Sequence, residues 1–168
     1  MGGPCEKMKV KPVNPFMKMV YFPFGVLFAC LRKSYMVFMN IYYHWKYPGI
    51  HKDVRIGYEC LLYGDISIGS GTYLQRNCSI TGKVSIGKDC SIASGVNIRA
   101  MVHKKWEGYD KETSKEIIIG DNVWVGANVF IKEGIHIGDN TIIGTGAIVT
   151  KSIPSNSVAV GNPARIIK

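Results

Sequence analysis

Histidine is the side chain best suited to proton transfer near neutral pH, and this chain contains four. One of them, His103, lies in residues 99–116, which lack the periodic aliphatic pattern of the sequence on either side. A neutral imidazole with a pKa near ~6.5 can accept the proton of a hydroxyl or amine as that group attacks a carbonyl carbon. On the residues alone, His103 is a candidate general base, although a lone histidine in a loop is ordinarily a surface residue without a catalytic role.

The other groups that could do chemistry are weaker candidates. His136 alternates with apolar neighbours and is expected to face solvent, whereas His44 and His51 precede or begin the periodic region. The cysteines show no C-x-x-C pair and no zinc-ligand spacing, so we expect neither a disulfide framework nor a metal requirement. The five cysteines are Cys5, Cys30, Cys60, Cys78 and Cys90.

An aliphatic residue recurs every six positions in two long blocks. The first block is Ile50, Ile56, Leu62, Ile68, Leu74, Ile80, Ile86, Ile92 and Ile98. The second block is Ile119, Val125, Ile131, Ile137, Ile143 and Val149. A period of six is neither the 3.6 of a helix nor the alternation of an ordinary strand. It is typical of a triangular solenoid, in which each hexad supplies one short strand and one corner.

The positions two residues before each member of those blocks form a second apolar series that should also point inward. Three cysteines belong to this series, which makes them small buried residues rather than nucleophiles. Gly, Asn and Asp recur at the corners, where a positive φ is favoured. The series is Val54, Cys60, Ile66, Thr72, Cys78, Val84, Cys90, Val96, Ile117, Val123, Val129, Ile135, Thr141 and Ala147.

The region before the repeat is basic and aromatic. Residues 1–55 carry a formal charge of +7 out of +9 for the whole chain. Residues 16–47 predict one or two helices that cap the open end of the solenoid, since that end is otherwise an exposed sheet edge. A peripheral membrane contact is the second interpretation of this segment. The apolar run over 20–31 is interrupted by Pro23 and followed by Arg32 and Lys33, so we expect no membrane span and no cleaved signal peptide.

The hexads and the C-terminal sequence 161–168, GNPARIIK, together resemble the hexapeptide-repeat acyltransferases, in particular the maltose, galactoside and capsular-polysaccharide O-acetyltransferase branch. The resemblance covers residues 50–168 and implies an all-β solenoid, a left-handed parallel β-helix with a short helical N-terminal cap and a C-terminal tail. It divides the chain into an N-terminal extension, 1–49, and an acyltransferase domain, 50–168, with 99–116 as an inserted loop.

The resemblance implies that acetyl-CoA is the co-substrate and that His103, near the start of the inserted loop, is the general base. Carried over residue by residue, Trp124 and Ala127 flank the thioester and a backbone amide near Gly126 stabilises the oxyanion. Basic residues near the nucleotide end suit the phosphates of CoA. The cofactor contacts implied are Trp124, Gly126, Ala127, Thr145, Gly146, Thr150, Lys151 and Arg165.

For the acceptor, the resemblance points to Gln75 and Asn77, with Trp106 and Tyr109 of the inserted loop as further contacts because aromatic rings stack on sugar faces. The sequence departs from the sugar-acetylating relatives here. They carry asparagine where Gln75 stands and an acidic residue near Gly82 and Lys83, where this chain has none. The identity of the acceptor therefore stays open.

The function implied is transfer of an acetyl group to a sugar hydroxyl of a polysaccharide or glycolipid precursor. An N-acetyltransferase of a nucleotide-linked amino sugar and a non-catalytic β-helix scaffold are the alternatives. A γ-type carbonic anhydrase is not favoured, because it would need three zinc-binding histidines. Serine acetyltransferase is not favoured either, because it has a long helical N-terminal domain. The relatives place each site between adjacent subunits, so we expect a homotrimer. We expect it in the cytoplasm, at or near the inner membrane surface. We expect no nucleic-acid partner.

Overall fold

The computed structural model of the chain describes the backbone of residues 15–104, 108–110 and 115–168, and the side chains of 30–101 and 115–168. Among these residues, one helix, α1 (Pro15–Lys46), precedes eighteen short strands. The described residues form two compact units that divide between Val37 and Phe38. Among the described residues, no helix is both long enough and apolar enough to span a bilayer.

The strands form three parallel sheets, which are the three faces of the predicted solenoid. Face 1 contains β1 (Arg55–Ile56), β4 (Tyr73–Leu74), β7 (Ser91–Ile92), β12 (Trp124–Val125), β15 (Ile142–Ile143) and β17 (Val158–Val160). Face 2 contains β2 (Leu61–Tyr63), β5 (Ser79–Thr81), β8 (Asn97–Arg99), β13 (Phe130–Ile131) and β16 (Ile148–Val149). Face 3 contains β3 (Ile66–Ile68), β6 (Val84–Ile86), β11 (Ile117–Ile119) and β14 (His136–Ile137). The predicted fold class is confirmed.

Among the described residues, three strands lie outside this parallel arrangement. The inserted loop contains an antiparallel hairpin of β9 (Val102–Lys104) and β10 (Gly108–Asp110). The C-terminal strand β18 (Arg165–Ile166) pairs antiparallel with β17 and covers the last edge of face 1. This is the predicted C-terminal tail, and it satisfies backbone groups that would otherwise be exposed at the end of the sheet.

The core follows the two predicted inward series. Every aliphatic residue of the hexad blocks and every residue of the second series is buried, including the polar Thr72 and Thr141. The hydroxyl of Thr72 donates to the carbonyl of Gly87 at 2.8 Å, and that of Thr141 donates to Pro154 at 3.1 Å. Buried hydroxyl groups are tolerated because they find partners in the adjacent turns.

Three corners connect the faces. Corner I follows each face 1 strand, corner II each face 2 strand and corner III each face 3 strand. Corner residues adopt positive φ repeatedly, as at Asn77 (57°), Asn122 (54°) and Gly146 (70°). Asparagine and glycine accept this backbone at the lowest cost, which explains their recurrence in the sequence. Stacked residues are 18 positions apart in regular coils, and 16 apart at the last one.

The C-terminal part of α1 packs on the first coil and closes its edge. The amide of Asn40 donates to the carbonyl of Ile56 at 2.9 Å and accepts from the Ile56 N–H at 3.1 Å. The buried phenols of Tyr43 and Tyr47 donate to the carbonyls of Cys60 and Leu62. These contacts confirm the capping role predicted for this segment, and α1 is a single continuous helix where one or two helices are expected. The helix ends before Pro48, since the residue preceding a proline disfavours the helical conformation.

Replacement of Asn40 by leucine should destabilise the capped end of the solenoid. Both backbone groups of Ile56 then lose their partner, which costs about 1–3 kcal/mol in the free energy of unfolding. Urea titration measures this loss, and hydrogen exchange measured by NMR should accelerate at the Ile56 amide.

Ser34→Ala, an exposed change on the same helix, is the control and should alter the free energy of unfolding by less than about 0.5 kcal/mol. Unchanged protection of the Ile56 amide in the Asn40→Leu variant would contradict the capping role.

Candidate functional site

Corner I holds half of the twelve cofactor and acceptor contacts predicted from the sequence. In successive coils, the N–H of its third residue donates to the carbonyl of the second residue one coil earlier, as from Gly95 to Arg76 at 3.1 Å and from Gly146 to Ala127 at 2.8 Å. The acceptor and cofactor contacts expected along this one edge are Gln75, Asn77, Gly126, Ala127, Thr145 and Gly146. Strands of a sheet are about 4.8 Å apart, so Asn77 and Gly146, three coils apart, are separated by about 14 Å.

The two predicted acceptor residues on corner I also have structural roles. The side-chain carbonyl of Gln75 accepts a hydrogen bond from the Ser94 hydroxyl at 3.0 Å. Asn77 is exposed and has a φ of 57°, a conformation that favours asparagine whether or not a ligand binds. Turn geometry alone therefore explains Asn77, whereas Gln75 is held in a fixed orientation next to it.

Gly126 and Gly146 differ in what surrounds them. A Cβ on Gly126 would lie 2.6 Å from the Thr145 nitrogen, so coil stacking itself requires glycine there. A Cβ on Gly146 would meet nothing within 4 Å. The Gly126 N–H already donates to Ile143 at 2.8 Å, which makes the Ala127 N–H the candidate oxyanion donor. Open space beside Gly146 leaves room for a ligand to run along the edge.

The outer surface of face 1, next to corner I, is apolar. Trp124 is 55% exposed and stands in register with Ser91 on one side and Ile142 on the other. Arg165, on β18 at the end of the same face, is exposed and donates to the carbonyl of Ala164 at 2.9 Å. Trp124 and Arg165 therefore lie on the same face, at different positions along the axis of the solenoid.

The remaining predicted residues lie at corner II, across face 2 from corner I. Thr150 and Lys151 are exposed there, immediately after β16. The inserted loop also leaves and rejoins the solenoid at this corner, between buried Ala100 and buried Ile117. The structure therefore separates the eight predicted cofactor contacts into those of corner I and face 1 and those of corner II.

The return end of the inserted loop is fixed by Glu116. Its carboxylate lies 3.2 Å from the Lys83 ammonium and accepts a hydrogen bond from the Ser85 hydroxyl at 3.0 Å. In the hairpin, His103 and Tyr109 are cross-strand backbone partners. Their side chains and the whole of Trp106 lie outside the described residues. In the hairpin, the backbone of the predicted base therefore lies directly opposite the backbone of one predicted acceptor contact.

A groove of about 800 Å³ opens at corner II, close to the start of the inserted loop. Its lining includes Lys46, Tyr63, Asp65, Lys83 and Met101. That volume lies within the range of small-molecule sites. The mixture of ammonium, carboxylate and aromatic groups suits a polar molecule of sugar size.

Sequence reasoning missed the contribution of Asp65 to this groove. An acidic residue was noted as lacking near Lys83, yet Asp65 occupies the equivalent corner one coil earlier, where its carbonyl accepts from the Val84 N–H at 2.9 Å. The coil period would have found it. Arg76 belongs to the stretch of expected acceptor contacts, but the sequence predicts no role for it. Its guanidinium donates to the Tyr58 hydroxyl at 2.6 Å and lies over that ring. Arg76 stands between the two predicted acceptor residues of corner I.

The inward cysteines are buried, as predicted, and their environment opposes a nucleophilic role. The hydrogen bond with Cys60 and burial raise the pKa of the Cys78 thiol, and burial raises the pKa of Cys90. The hydrogen bond from Cys78 lowers the pKa of Cys60, but that sulfur is enclosed in the core. A thiol needs both ionisation and access to attack a substrate, and none of these three has both.

The other histidines have local roles. His136 is exposed, as predicted. His44 bridges the carbonyls of Asn40 (2.7 Å) and His51 (3.1 Å), while His51 contacts Asp53. Within the part of the chain that the structure describes, no group of three or more His, Cys, Asp or Glu residues is arranged to hold a metal ion.

Comparison with known proteins identifies the repeat. The family model described as bacterial transferase hexapeptide (six repeats) matches residues 65–100 and 116–151, on either side of the inserted loop. The solved structure of a maltose O-acetyltransferase from Clostridium difficile 630 is 35% identical with a TM-score of 0.62, and the alignment covers 71% of this chain and 68% of that one.

Two further proteins are similar. A galactoside acetyltransferase solved in complex with coenzyme A is 36% identical with a TM-score of 0.56, over 69% of this chain and 64% of that one. The polysialic acid O-acetyltransferase of Escherichia coli O1:K1 is 66% identical over 55 residues, which are 33% of this chain and 18% of that protein. The chain spans about a third of the length of the first curated relatives it matches.

The repeat, the parallel three-faced solenoid and the 68% coverage of a maltose O-acetyltransferase at 35% identity agree with one another. The chain belongs to the bacterial transferase hexapeptide family, the hexapeptide-repeat acyltransferases.

Proposed function

We propose that this protein transfers the acetyl group of acetyl-CoA to a sugar hydroxyl of a polysaccharide or glycolipid precursor, with His103 as the general base. The observation that carries the proposal is the composition of corner I. Expected acceptor contacts (Gln75, Asn77) and expected donor contacts (Gly126, Ala127, Thr145) lie on one edge, so an acceptor and the thioester of CoA can meet along a single line. Relatives named as galactoside, maltose and polysialic acid O-acetyltransferases support this chemistry.

The proposed reaction is direct transfer within a ternary complex. His103 takes the proton of the acceptor hydroxyl as its oxygen attacks the thioester carbonyl carbon. The N–H of Ala127 donates to the oxyanion of the tetrahedral intermediate, which then collapses with release of the CoA thiolate. The burial of the inward cysteines favours this route over an acyl-enzyme, because a buried thiol is not accessible to the thioester. A galactoside acetyltransferase structure with bound coenzyme A supports a CoA-linked co-substrate.

We further propose that three copies assemble and that a neighbour completes each site. Within one chain, face 2 stands between corner I and the base of the loop that carries His103. Face 1 offers an exposed apolar row beside corner I, with Tyr73, Trp124 and Ile142 each more than a third exposed. Burying such a row between copies joined by closed rotational symmetry is favourable and brings a second chain against corner I.

The acceptor is proposed to be a glycan or glycolipid precursor in the cytoplasm. The polysialic acid O-acetyltransferase of Escherichia coli O1:K1 supports a glycan acceptor. Arg55 lies over the Tyr73 ring and Arg76 over the Tyr58 ring, beside corner I. Cationic groups stacked on aromatic rings suit an acidic sugar chain, so acidic glycans belong in the first acceptor panel together with neutral sugars and nucleotide-linked amino sugars.

Replacement of His103 by asparagine should lower acetyl transfer by roughly 10²–10⁴-fold, the usual contribution of a general base. Turnover is measured as release of the CoA thiol with each acceptor of the panel, and CoA affinity by calorimetry should stay within about twofold of wild type because His103 contacts the acceptor.

His136→Asn, at an exposed position of face 3, is the matched control and should keep full turnover. Full activity in the His103→Asn variant would reject this residue as the base. Failure of the wild-type chain to bind CoA at all would instead support the scaffold alternative.

Gly146→Asn should weaken CoA binding by about tenfold or more while the protein stays folded. Asparagine occupies the equivalent position in other coils at similar φ, as at Asn77 and Asn128, so the backbone accepts it. The added side chain fills the space in which the CoA arm is proposed to run.

Asn140→Gly, a change at a positive-φ position of corner III, provides the control. It removes hydrogen bonds to Asn122 and Asn156 and can lower stability, yet CoA affinity should not change. Wild-type affinity in the Gly146→Asn variant would place the CoA arm elsewhere.

Ile142→Arg should convert the trimer to monomers and abolish transfer, because it buries an unpaired charge in the proposed contact of face 1. Light scattering coupled to size-exclusion chromatography measures the mass. Ile118→Arg, at a similarly exposed isoleucine of face 3, should leave the assembly intact. A wild-type monomer with full activity would overturn the shared-site proposal.

A further inference from the structure

The helix α1 has an apolar face that the solenoid does not cover. Large side chains are exposed along its C-terminal half, among them Phe38 (65%) and Trp45 (79%). The side chains that contact the first coil, Asn40 and Tyr43, lie about half a turn away from these two on the helix. The helix therefore packs on the coil through one side and presents aromatic rings on the other.

The apolar face is continuous and regularly spaced. Its members are Phe38, Ile41 and Trp45, which follow one another at intervals of three and four residues and are each more than half exposed. We call these three residues the aromatic stripe. Steps of three and four keep residues on one side of a helix, so the stripe is a single surface and not scattered exposure.

The composition of the stripe indicates what covers it. Two of its three residues, Phe38 and Trp45, are aromatic, whereas the seam of a helix–helix coiled coil is mainly Leu, Ile and Val. Tyr and Trp are enriched where a protein meets the headgroup region of a bilayer, since their rings are apolar and their edges can hydrogen bond. An interfacial helix presents such a face to lipid.

The charge around the stripe points to an anionic surface. Residues 7–52 contain eight Lys or Arg and no Asp or Glu. In contrast, residues 56–168 contain twelve basic and ten acidic residues. An uninterrupted basic segment that contains an amphipathic aromatic helix is complementary to anionic lipid headgroups, and each Lys or Arg near such a surface strengthens binding roughly fivefold.

We propose that the aromatic stripe docks α1 in the plane of an anionic lipid bilayer surface, with the rings in the headgroup region. The solenoid contacts the opposite side of the helix through Asn40 and Tyr43, so docking leaves that contact intact. Acetyl transfer and membrane attachment are separate properties, and this inference holds whichever acceptor the enzyme uses.

Vesicle flotation of the full chain tests the proposal. Wild-type protein should float with phosphatidylcholine vesicles that contain about one-third phosphatidylglycerol and stay in solution with phosphatidylcholine alone. Phe38→Ser combined with Trp45→Ser should lower partitioning to anionic vesicles by at least about tenfold, because two exposed aromatic anchors are lost. Leu61→Ser combined with Ile118→Ser, which removes two exposed aliphatic side chains from faces 2 and 3, should bind vesicles like wild type.

A second measurement places Trp45 directly. In a Trp106→Phe, Trp124→Phe background Trp45 is the remaining tryptophan, and brominated anionic vesicles should quench its fluorescence. Wild-type protein that stays in solution with anionic vesicles, or an unquenched Trp45, would overturn the proposal. The proposal would also be overturned if the wild-type chain did not bind vesicles and the Phe38→Ser, Trp45→Ser double variant changed its oligomeric mass. A second copy of the chain would then cover the stripe.

Discussion

Stacking of identical turns is the constraint on which the rest of the structure depends. Each coil must place its inward residues directly above those of the preceding coil, in a core too narrow for more than two inward positions per hexad. Any side chain that extends the backbone spacing at a corner separates the coils, as a Cβ on Gly126 would by approaching Thr145 at 2.6 Å. The regular edge on which the candidate site lies is a direct product of this requirement, because stacking brings residues 18 apart in sequence to neighbouring positions.

The solenoid fold and its core could be predicted from the sequence because both follow from a period. Ile80, Ile98 and Ile137 are completely buried where the hexads placed them, and Cys78 and Cys90 are buried where the second series placed them. The same period aligns Asp65 with Lys83 at corner II, since the two residues are one coil apart. What a period cannot supply is the path of a segment that breaks it, and the side chains of the inserted loop follow no repeat.

The candidate site was predictable only in part, for a physical reason. Gly126 and Gly146 look alike in sequence, yet the first is required by coil stacking and the second faces open space. Asn77 was expected to contact the acceptor, and its φ of 57° provides a reason for asparagine without any ligand. A residue type such as Asn or Gly at a corner can be required by the backbone conformation or by a ligand, and the sequence does not distinguish the two. The distribution of the expected contacts over corners I and II became visible only once the three faces were assembled.

The two ends of the solenoid are closed by different chemistry, and this has a consequence for aggregation. One end is sealed by the Asn40 amide and two tyrosine hydroxyls, and the other by a shortened coil and the antiparallel strand β18. Stacked parallel strands with bare ends would be templates for further strands, as in amyloid fibrils. Because neither cap resembles the next coil, the strand edges that they cover are not offered to a second molecule. Loss of either cap should therefore expose a strand edge on which further chains can pair.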